Sequence, residues 1–590
     1  MVVSTTPTAA GHTRESRYLT MRDGVRIAID LHRPRIGGRV PTVIRATRYW
    51  RRHPEPTDPV ARARWIDQAQ VLTDAGSAYV TVDVRGTGAS FGAWRAPWAP
   101  DEVADLGEVA AWITAQPWSN GSVGAFGVSY DGNTAELLAA TGEPCVRAVV
   151  PRFSDVEPFE HLSFPGGILL DGFLREWAAM NLAMDVNDVR AIRGLSDEEY
   201  AGLEEQLGTL AGVDGDEDGR LLAAAVAEHS DNVDVHAVGA SLTYRDDEAA
   251  RSLLIDEISP MARRREIEAS GAAIFAWASW FDAGTALGAI ERFRNFSNPQ
   301  RVLIGPWSHG AGFHASPFSD PGRPAELGVE QQYALITDFL RDNLTDAGRA
   351  TIGRTLRYYT LGAEEWRETD VWPPRGTTTI RWYLREGGRL ERAAPVGDGA
   401  DHYEADFSAS TGATTNRWQT QLGGGPVVYG DRRDEDRKLL TYDTPPLEHD
   451  LEATGSPVVT LHVRSTHEDG AFYAYLEDVA PDGTVTYVTE GQLRALHRCT
   501  APAPEDLVAE GPYRTFRQAD AAPLVPGEPA ELTFALLPTS VRFAAGHRIR
   551  LAIAAHDAGT FVRIPAEGTP VVTVDRSVQR PSHIELPAFG

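Results

Sequence analysis

The sequence predicts an α/β protein with a helical lid insertion and a C-terminal antiparallel β jelly roll. Short, fully apolar strand segments alternate with helical segments in the first part of the chain, as in a parallel sheet that is covered on both faces. A mostly helical stretch, residues 153–268, interrupts this alternation before the next strand. From about residue 351 onward, short strands rich in Thr, Val, Tyr and Gly are separated by turn signals, which is typical of an antiparallel sandwich or jelly roll.

The predicted domains follow from this order of segments. Residues 1–152 and 269–350 form the two parts of the sheet domain, residues 153–268 form the lid, and residues 351–590 form the jelly roll. An open α/β sheet binds ligands at the carboxyl ends of its strands, so the inserted helices are expected to cover that edge. The stretch 409–437 has little predicted secondary structure and is interpreted as a loop that reaches back to the first domain.

The elements of the first domain are predicted one by one from local patterns. Alternation around Asp23 and Gly24 predicts a hairpin over residues 18–33. In the lid, Ser196 and Glu199 have the spacing of a capping box. Strands are expected near 43–47, 78–82, 123–128, 146–150, 273–278 and 301–304, and helices near 101–116 and 326–344.

The composition of the chain argues against several classes of function. The chain carries 83 acidic and 56 basic residues, a formal net charge of −27, which argues against binding to nucleic acid. The two cysteines, Cys145 and Cys499, are too few for a disulfide framework or a zinc site. No apolar run approaches the length of a membrane span, and residues 1–16 are interpreted as a loose leader without the apolar core of a signal peptide. A cytoplasmic protein is therefore predicted, and the sequence leaves open whether it forms a homo-oligomer.

The segment that organises the first domain is GVSYDG at residues 127–132. An apolar run enters Ser129 and a run of helix formers leaves it, which is the strand, turn and helix pattern of a nucleophile elbow. Glycines beside the serine leave room where the backbone passes close to the neighbouring strand and the following helix. Asp131 stands where the commoner motif has its second glycine. A Gly-x-Ser segment between a strand and a helix can also be an ordinary turn, so this motif alone leaves both interpretations open.

A serine hydroxyl needs a base that takes its proton and an acid that orients the base. In α/β-hydrolases these groups follow the serine in the order Asp or Glu, then His, at later strand ends. Asp282 directly follows one predicted strand, and His309 directly follows the next. Asp83 is a competing acid, but it precedes Ser129 and breaks the order. The sequence therefore predicts Ser129, Asp282 and His309 as the catalytic residues of an α/β-hydrolase sheet.

No cofactor or metal is expected. The glycine-rich turn at residues 83–90 fails the dinucleotide-binding fingerprint, because no glycine stands three residues after Gly88. The acidic turn at residues 214–218 lacks the full calcium-loop pattern and its distal glutamate, and is interpreted as a solvated loop.

Several segments together resemble one group of serine hydrolases. In the first domain they are DVRG at 83–86, QPWSNG at 116–121, GVSYDG at 127–132, WFD at 280–282 and GPWSH at 305–309. In the last domain they are GAEEWR at 362–367, WPP at 372–374 and TEGQLR at 489–494. These segments are similar to those of the cocaine esterase and X-prolyl dipeptidyl peptidase group. The resemblance covers nearly the whole chain and is weakest in the lid.

The resemblance implies a role for each candidate. Ser129 is the implied nucleophile, His309 the base and Asp282 the acid that orients it. The backbone N–H of Tyr130 and the hydroxyl of Tyr49, a tyrosine after the first strand of the sheet, are the implied oxyanion hole. A neutral tyrosine is a hydrogen-bond donor at pH 7, and one such donor lowers the barrier by roughly 3 kcal/mol. Without the resemblance, Tyr49 would be interpreted as an aromatic residue packed under the lid.

The leading hypothesis is a serine hydrolase that cleaves carboxylic esters of small acyl compounds through an acyl-serine intermediate. The second is an amidase or aminopeptidase of the X-prolyl dipeptidyl peptidase or α-amino acid ester hydrolase type, and the third is a binding protein without catalytic activity. The α-amino acid ester hydrolases carry acidic residues shortly after the catalytic aspartate, whereas residues 283–285 (AGT) contain none. The expected partner is a small ester or amide substrate, with no nucleic acid and no membrane.

Aromatic residues are candidates for the acyl pocket. They are Phe164, Phe173 and Trp177 of the lid together with Trp280 and Phe281 beside the predicted acid. The alternative is that they form the core of the lid, because aromatic stripes usually pack inward. Asp131 is a candidate to hold a substrate ammonium, or it faces the surface.

Overall fold

Two β-sheets organise the chain. The structure is a computed structural model that describes residues 6–7, 11–35, 37–192, 195–320, 322–345 and 353–589. Over these ranges, eleven strands form the first sheet and thirteen form the second. Every helix in the described ranges is too short or too polar to cross a bilayer. The cytoplasmic location stays a prediction.

The first sheet has a parallel centre. Its strands are β1 (Thr6–Pro7), β2 (His12–Thr20), β3 (Arg26–Pro34), β4 (Val40–Thr47), β5 (Ala78–Asp83), β6 (Ser119–Val128), β7 (Val146–Arg152), β8 (Ala273–Ser279), β9 (Gln300–Gly305), β10 (Thr355–Thr360) and β11 (Glu365–Thr369). Their order is β1-β2-β3-β5-β4-β6-β7-β8-β9-β10-β11. The strands from β5 to β10 in this order run parallel, and antiparallel pairs flank them on both sides.

The hairpin predicted over residues 18–33 is confirmed as the antiparallel pair β2 and β3. β2 starts at His12, so the end of the predicted loose leader belongs to the sheet instead. That prediction is wrong there because the strand pairing extends beyond the alternating stretch. Residues 1–5 and 8–10 of the leader lie outside the described residues.

Helices connect the strands. They are α1 (Pro59–Arg62), α2 (Gln68–Asp74), α3 (Pro100–Thr114), α4 (Tyr130–Leu138), α5 (Asp171–Asp185), α6 (Asp197–Leu207), α7 (Arg220–Glu228), α8 (Val235–Ala240), α9 (Glu248–Ser252), α10 (Arg264–Ser270), α11 (Thr285–Asn295) and α12 (Val329–Leu344). The predicted capping box at Ser196 and Glu199 is confirmed at the start of α6. α12 begins at Val329, after extended backbone at Gly328, rather than at residue 326.

The helices bury both faces of the first sheet. Side chains of α2 and α12 form one apolar cluster with Val43 and Tyr79, whereas α3, α4 and α11 share a second cluster with Ile44 and Val80. Neighbouring residues of one strand therefore contribute to opposite layers, as the alternation of side chains along a strand requires. This double burial explains why the central strands are apolar throughout rather than alternating.

The insertion between β7 and β8 forms a helical cap. One anchor is a buried ion pair, in which Arg48, just after β4, contacts Asp185 at the end of α5 at 3.0 Å. The last helix of the insertion, α10, crosses the predicted boundary at residue 268 and buries Ile267 against the turn that follows α4. α10 therefore packs with the sheet domain, and the helices from α5 to α9 form the cap.

The second sheet forms the β-rich C-terminal domain. Its strands are β12 (Thr377–Arg385), β13 (Arg389–Glu391), β14 (Ala400–Glu404), β15 (Leu440–Asp443), β16 (Leu451–Gly455), β17 (Val458–Ser465), β18 (Ala471–Val479), β19 (Val485–Arg494), β20 (Ala530–Ala535), β21 (Thr539–Phe543), β22 (Arg548–Ala554), β23 (Val571–Asp575) and β24 (His583–Phe589). Most neighbours are antiparallel, such as β18 with β19 and β22, and β12 with β24. This arrangement is the antiparallel β-domain that the sequence predicts.

The division between the two sheets differs from the prediction. The boundary at 350/351 lies outside the described residues. The first strands after it, β10 and β11, extend the first sheet, because β10 pairs in parallel with β9 and β11 pairs with β10. The prediction that every strand after residue 351 belongs to the jelly roll is therefore wrong, since strand-like composition does not reveal which sheet a strand joins.

The loop at residues 409–437 reaches back to the first domain, as predicted. Arg417 is fully buried, and its Nη2 donates a hydrogen bond to the Ala283 carbonyl at 2.8 Å. The Ala283 N–H in turn donates to the Arg417 carbonyl at 3.0 Å. Gly424 of the same loop packs so close to His309 that a Cβ there would lie 2.8 Å from the His309 carbonyl oxygen. The loop therefore touches both strand ends on which the predicted acid and base lie.

Candidate active site

Ser129 adopts the strained backbone of a nucleophile elbow. It lies between β6 and α4 with φ 63° and ψ −127°, which a non-glycine residue adopts only at a cost of about 1–3 kcal/mol. Its N–H donates to the Arg152 carbonyl at 2.9 Å, and its carbonyl accepts from the Gly132 N–H at 2.8 Å. A Cβ at Gly127 would lie 2.2 Å from the Asp131 carbonyl oxygen, so the turn requires glycine there.

His309 and Asp282 form a buried hydrogen-bonded pair. His309 follows β9, Asp282 follows β8, and the His309 Nδ1 lies 3.0 Å from both carboxylate oxygens of Asp282. Burial lowers the pKa of His309, but the Asp282 carboxylate more than offsets this effect and holds that pKa above its usual value. The other ring nitrogen of His309, Nε2, can therefore accept a proton from a nucleophile or a substrate.

The histidine loop lies against the elbow. A Cβ built on Gly310, the residue after His309, would lie 3.8 Å from Cγ1 of Val128, the residue before Ser129. Arg152 neighbours Val128 in the strand register, and the ring of the next residue, Phe153, lies 6.0 Å from the His309 ring. Parallel strands bring their carboxyl ends to one edge, so the chain segments that carry Ser129, Asp282 and His309 meet there.

Tyr49 lies in the same pocket wall as Ser129, just after β4. Its phenolic oxygen accepts a hydrogen bond of 2.8 Å from the Trp177 indole. Burial raises the pKa of Tyr49 to about 12, while hydrogen bonding with Trp177 and Ser129 opposes that rise. The phenol is therefore neutral at pH 7, and its hydrogen is a donor beside the serine.

Tyr130 begins α4, so its backbone N–H has no acceptor within the helix. Its side chain is fixed below the elbow, where the hydroxyl donates to the Glu102 carboxyl at 2.7 Å and accepts from the Trp94 indole at 3.0 Å. Its ring stacks on Trp98 with centroids 4.9 Å apart. These contacts hold the backbone amide that follows Ser129 in one orientation.

The comparisons with known proteins fit this geometry. The family model for the X-Pro dipeptidyl-peptidase (S15 family) matches residues 23–311, and the model for the X-Pro dipeptidyl-peptidase C-terminal non-catalytic domain matches residues 353–585. A Mycobacterium bovis protein assigned as a serine esterase is 41% identical over 99% of this chain and 96% of its own length. The chain belongs to the S15 family.

Two other comparisons extend this result. The cocaine esterase of a Rhodococcus species is 27% identical over 96% of this chain and 97% of its own length. The crystal structure of an aminopeptidase from a marine sediment thaumarchaeon has the same fold, with a TM-score of 0.73 at 20% identity, over 99% of this chain and 98% of the other.

The S15 protein is therefore a serine hydrolase, and the resemblance and the fold class predicted from the sequence are confirmed. The hypothesis of a binding protein without catalytic activity is not retained.

An apolar pocket of about 90 Å³ opens beside Ser129 in the S15 protein. Residues of the insertion between β7 and β8 form most of its wall, among them Phe164, Phe173 and Trp177, three of the predicted pocket residues. The rings of Phe173 and Trp177 stack with centroids 6.3 Å apart. These aromatic side chains therefore face the site rather than only the core of the cap.

Trp280 and Phe281 do not line this pocket, so that prediction is wrong. Both side chains are buried against the C-terminal half of the chain. The Trp280 indole donates to the Tyr359 carbonyl at 2.7 Å, and the Phe281 ring lies 6.3 Å from the ring of Tyr429. Their position beside Asp282 in the sequence does not determine the direction of the side chains, because the turn after β8 points them away from the cap.

Asp131 is neither a substrate-binding residue of this pocket nor a surface residue. It is buried below the elbow, and its Oδ2 accepts a hydrogen bond of 2.7 Å from Arg45 Nε on β4. Burial raises the pKa of Asp131, and the Arg45 guanidinium opposes that rise. The prediction of an ammonium site at Asp131 is wrong because this carboxylate already has a cation as its partner. Asp83, the competing acid, is likewise paired, with Arg51 at 2.7 Å.

One residue of the site, Asp155, and one contact of a predicted residue, Trp177, were not predicted from the sequence. Asp155 follows β7, lines the apolar pocket, and has a buried Oδ1 with no hydrogen-bond partner among the described residues. Burial raises the pKa of Asp155 to about 7. Trp177 was predicted as a pocket residue, but its hydrogen bond to Tyr49 was not. A carboxylate shortly after a strand end was the available signal for Asp155, whereas nothing local marks an indole that bonds a tyrosine 128 positions away.

Proposed function

We propose that this S15 protein hydrolyses carboxylic esters of small acyl compounds through an acyl-serine intermediate. The observation that carries the proposal is the strained elbow at Ser129 beside the buried His309–Asp282 pair. A serine is a weak nucleophile until a base removes its proton, and an imidazole held by a carboxylate is such a base. Tyr49 and the Tyr130 amide supply donors on the side of the elbow that faces the cap.

Acylation begins when Ser129 Oγ attacks the ester carbonyl carbon and His309 Nε2 takes the hydroxyl proton. Asp282 holds the imidazole by its Nδ1–H and stabilises the positive charge that forms on it. The carbonyl oxygen becomes an oxyanion that accepts hydrogen bonds from the Tyr49 hydroxyl and the Tyr130 N–H. The intermediate collapses when His309 gives its proton to the leaving alcohol, which leaves the acyl group on Ser129.

Deacylation repeats these steps with water as the nucleophile. His309 removes a proton from the water, the water oxygen attacks the acyl carbon, and the same donors stabilise the second oxyanion. Collapse returns the proton to Ser129 Oγ and releases the carboxylic acid. Each step uses the same side chains, so no further group is needed to balance the reaction.

The pocket limits the acyl group. A cavity of about 150 Å³ holds benzene, so a pocket of about 90 Å³ accepts a group smaller than benzoyl. Its aromatic and aliphatic lining favours an uncharged alkyl chain over a polar one. Short-chain esters such as acetates and butyrates are therefore the proposed substrates.

A series of nitrophenyl esters with rising acyl length tests the proposal, run beside aminoacyl and Xaa-Pro anilides. We expect the highest kcat/KM between acetyl and butyryl, with a fall at octanoyl and benzoyl. Turnover of the anilides above that of every ester would reverse the order of the two hypotheses.

The second candidate function is an aminopeptidase or amidase on the same residues, and Asp155 is the observation that favours it. Asp155 is the carboxylate in the apolar pocket wall, where the α-ammonium of an aminoacyl group would lie. Burial raises its pKa to about 7, so a large part of it is uncharged at neutral pH, which weakens such a role. A preference for aminoacyl over acyl anilides that disappears in Asp155→Asn would support the peptidase.

A further inference from the structure

A second and much larger cavity, about 1070 Å³, opens at the same edge of the first sheet. Its walls come from the segment around α1 and α2, from residues within 310–320 and 322–329 after His309, and from residues 426–429 of the loop that reaches back from the second sheet. Arg45, Val128 and Arg152 contribute from the strands. This cavity lies on the α2 and α12 side of the sheet rather than under the cap.

The cavity is basic in a protein that is strongly acidic. Its described lining contains six arginines, Arg45, Arg51, Arg52, Arg64, Arg152 and Arg323, but only two carboxylates, Asp67 and Asp320. The whole chain, in contrast, has a formal net charge of −27. Two lining histidines, His32 and His53, are uncharged at neutral pH because burial lowers their pKa values to about 4. The arginines therefore supply most of the positive charge in the lining.

Most of these arginines are neutralised from outside the cavity. Arg45 pairs with Asp131 at 2.7 Å, and Arg51 pairs with Asp83 at 2.7 Å. Arg52 pairs with Asp30 at 2.7 Å, and Arg323 pairs with Glu326 at 2.5 Å. These guanidinium groups shape the wall but do not require a further anion.

Arg152 is different, because no described carboxylate lies within ion-pair distance of it. Its side chain is buried, with the residue 2% exposed, and its Nη2 donates to the neutral amide oxygen of Gln332 at 2.6 Å. Its Nε has no hydrogen-bond partner among the described residues. An arginine stays protonated even when burial lowers its pKa. A buried charge without a counter-charge is costly unless a ligand supplies that charge.

The position of Arg152 links the cavity to the reaction. Its carbonyl accepts the Ser129 N–H at 2.9 Å, and its positive charge lies near enough to His309 to oppose protonation of the imidazole. Val128, before Ser129, and Gly310, after His309, both line the cavity. The acyl pocket lies on the cap side, whereas this cavity adjoins the elbow and the histidine loop from the α2 and α12 side of the sheet.

We propose that the large cavity binds the leaving group of the substrate and that Arg152 binds a carboxylate on that group. The inference rests on the proposed ester hydrolysis and adds a substrate class to it: esters with a short, uncharged acyl group and an anionic alcohol or phenol part. Arg152 takes no part in bond breaking; it binds the anion by charge-assisted hydrogen bonds and so determines specificity. The guanidinium of Arg152, which has no carboxylate within ion-pair distance among the described residues, attracts such an anion despite the negative net charge of the protein.

The test compares 4-acetoxybenzoate with its methyl ester, methyl 4-acetoxybenzoate. The two esters share the acetyl group and the phenyl frame, and only the first has a charged leaving group. We expect Arg152→Gln to lower the ratio of kcat/KM for the anionic over the neutral ester by about 10-fold or more. Arg152→Lys should restore part of the ratio, because it keeps the charge. Arg147→Gln, at the exposed start of the same strand, is the matched control and should leave the ratio unchanged.

A binding measurement keeps the inference separate from the proposed reaction. Calorimetry on the wild-type protein with the product 4-hydroxybenzoate, against methyl 4-hydroxybenzoate, needs no turnover and no variant. We expect the carboxylate to bind at least 10-fold more tightly than its methyl ester, and added NaCl to weaken its binding. Equal affinities, or an unchanged ratio in Arg152→Gln, would overturn the inference even if ester hydrolysis is observed. Selective binding of the carboxylate without any hydrolysis would support the anion site and count against the proposed reaction.

Discussion

The indole Nε1 of Trp177 donates a 2.8 Å hydrogen bond to the phenolic oxygen of Tyr49. Trp177 belongs to the cap, whereas Tyr49 follows a strand of the sheet. Because the phenolic oxygen accepts this bond, its own hydrogen is directed elsewhere, and Ser129 lies in the same pocket wall as Tyr49. The cap therefore does more than cover the pocket: it orients the donor that the proposed oxyanion needs.

Removal of the Tyr49 hydroxyl should affect the chemical step more than binding. In Tyr49→Phe we expect kcat to fall by about 10²–10³-fold, with little change in KM, because the donor acts on charge that develops in the transition state. Steady-state kinetics on nitrophenyl acetate measures both constants. An unchanged kcat would remove Tyr49 from the mechanism.

Loss of the Trp177 hydrogen bond should act only through Tyr49. Trp177→Phe keeps an aromatic ring in the pocket wall but removes the indole donor, so kcat is expected to fall by about 10-fold. In a protein that already carries Tyr49→Phe, the same substitution should change kcat little, because the two residues form one unit. Equal effects in both backgrounds would mean that Trp177 acts by packing alone.

Ser129→Ala should abolish ester hydrolysis and covalent labelling. We expect kcat to fall by about 10⁶-fold, since loss of the nucleophile leaves only binding and the oxyanion donors. Mass spectrometry after treatment with a fluorophosphonate measures the labelling. Ser122→Ala, on the same strand β6, is a control that should keep both properties. Labelling that persists in the Ser129 variant would assign the nucleophile to another residue.

The pH dependence should report His309. Because Asp282 holds the pKa of His309 above its usual 6.5, kcat/KM is expected to decline as the pH falls through a value above 6.5, where the base becomes protonated. In Asp282→Asn the inflection should move to lower pH, and kcat should drop by on the order of 10⁴-fold. A pH–rate profile of both proteins checks this, and an inflection that stays in place would exclude electrostatic coupling between the two residues.

Glu102 should make the fold less stable as the pH rises. Burial raises its pKa from an ordinary 4.5 to about 8, so the folded chain binds this proton more tightly than the unfolded chain. Its contribution is therefore most favourable below about pH 4.5 and is lost as the pH rises toward 8. Glu102→Gln keeps a polar partner for Tyr130 and removes the titration.

We expect the Tm of Glu102→Gln, relative to wild type, to rise between pH 5 and pH 9 by about 2 °C or more. Thermal unfolding followed by circular dichroism at pH 5, 7 and 9 measures the difference. A difference that is the same at all three values would mean that Glu102 does not change protonation in this range.

Much of the site could be predicted because its residues follow strand ends. Ser129, Asp282 and His309 are each preceded by a short apolar strand, and parallel strands present such residues at one edge. Only the resemblance indicates Tyr49, because nothing local distinguishes a tyrosine that serves as a donor from one that packs.

The errors have a common cause. The position of Trp280 and Phe281 beside Asp282 predicts that they line the pocket, yet the direction of a side chain in a turn depends on the contacts that surround it. The sheet joined by β10 and the cavity around Arg152 depend on segments far apart in the chain, which no local pattern reveals. Sequence patterns therefore identified the strand ends but not which surfaces face each other.

Arg417 and Ala283 exchange two hydrogen bonds, and these bonds limit how the two halves of the chain can be separated or recombined. A truncated version made of the catalytic half alone would leave the turn that carries Asp282 without its support, and we would expect a misaligned histidine even where the sheet still folds. Chimaeras between S15 relatives face the same constraint, because a C-terminal half from another protein replaces Arg417, which hydrogen-bonds to this turn. A stable chimaera will need the loop that carries Arg417 and the turn that carries Asp282 from the same parent protein.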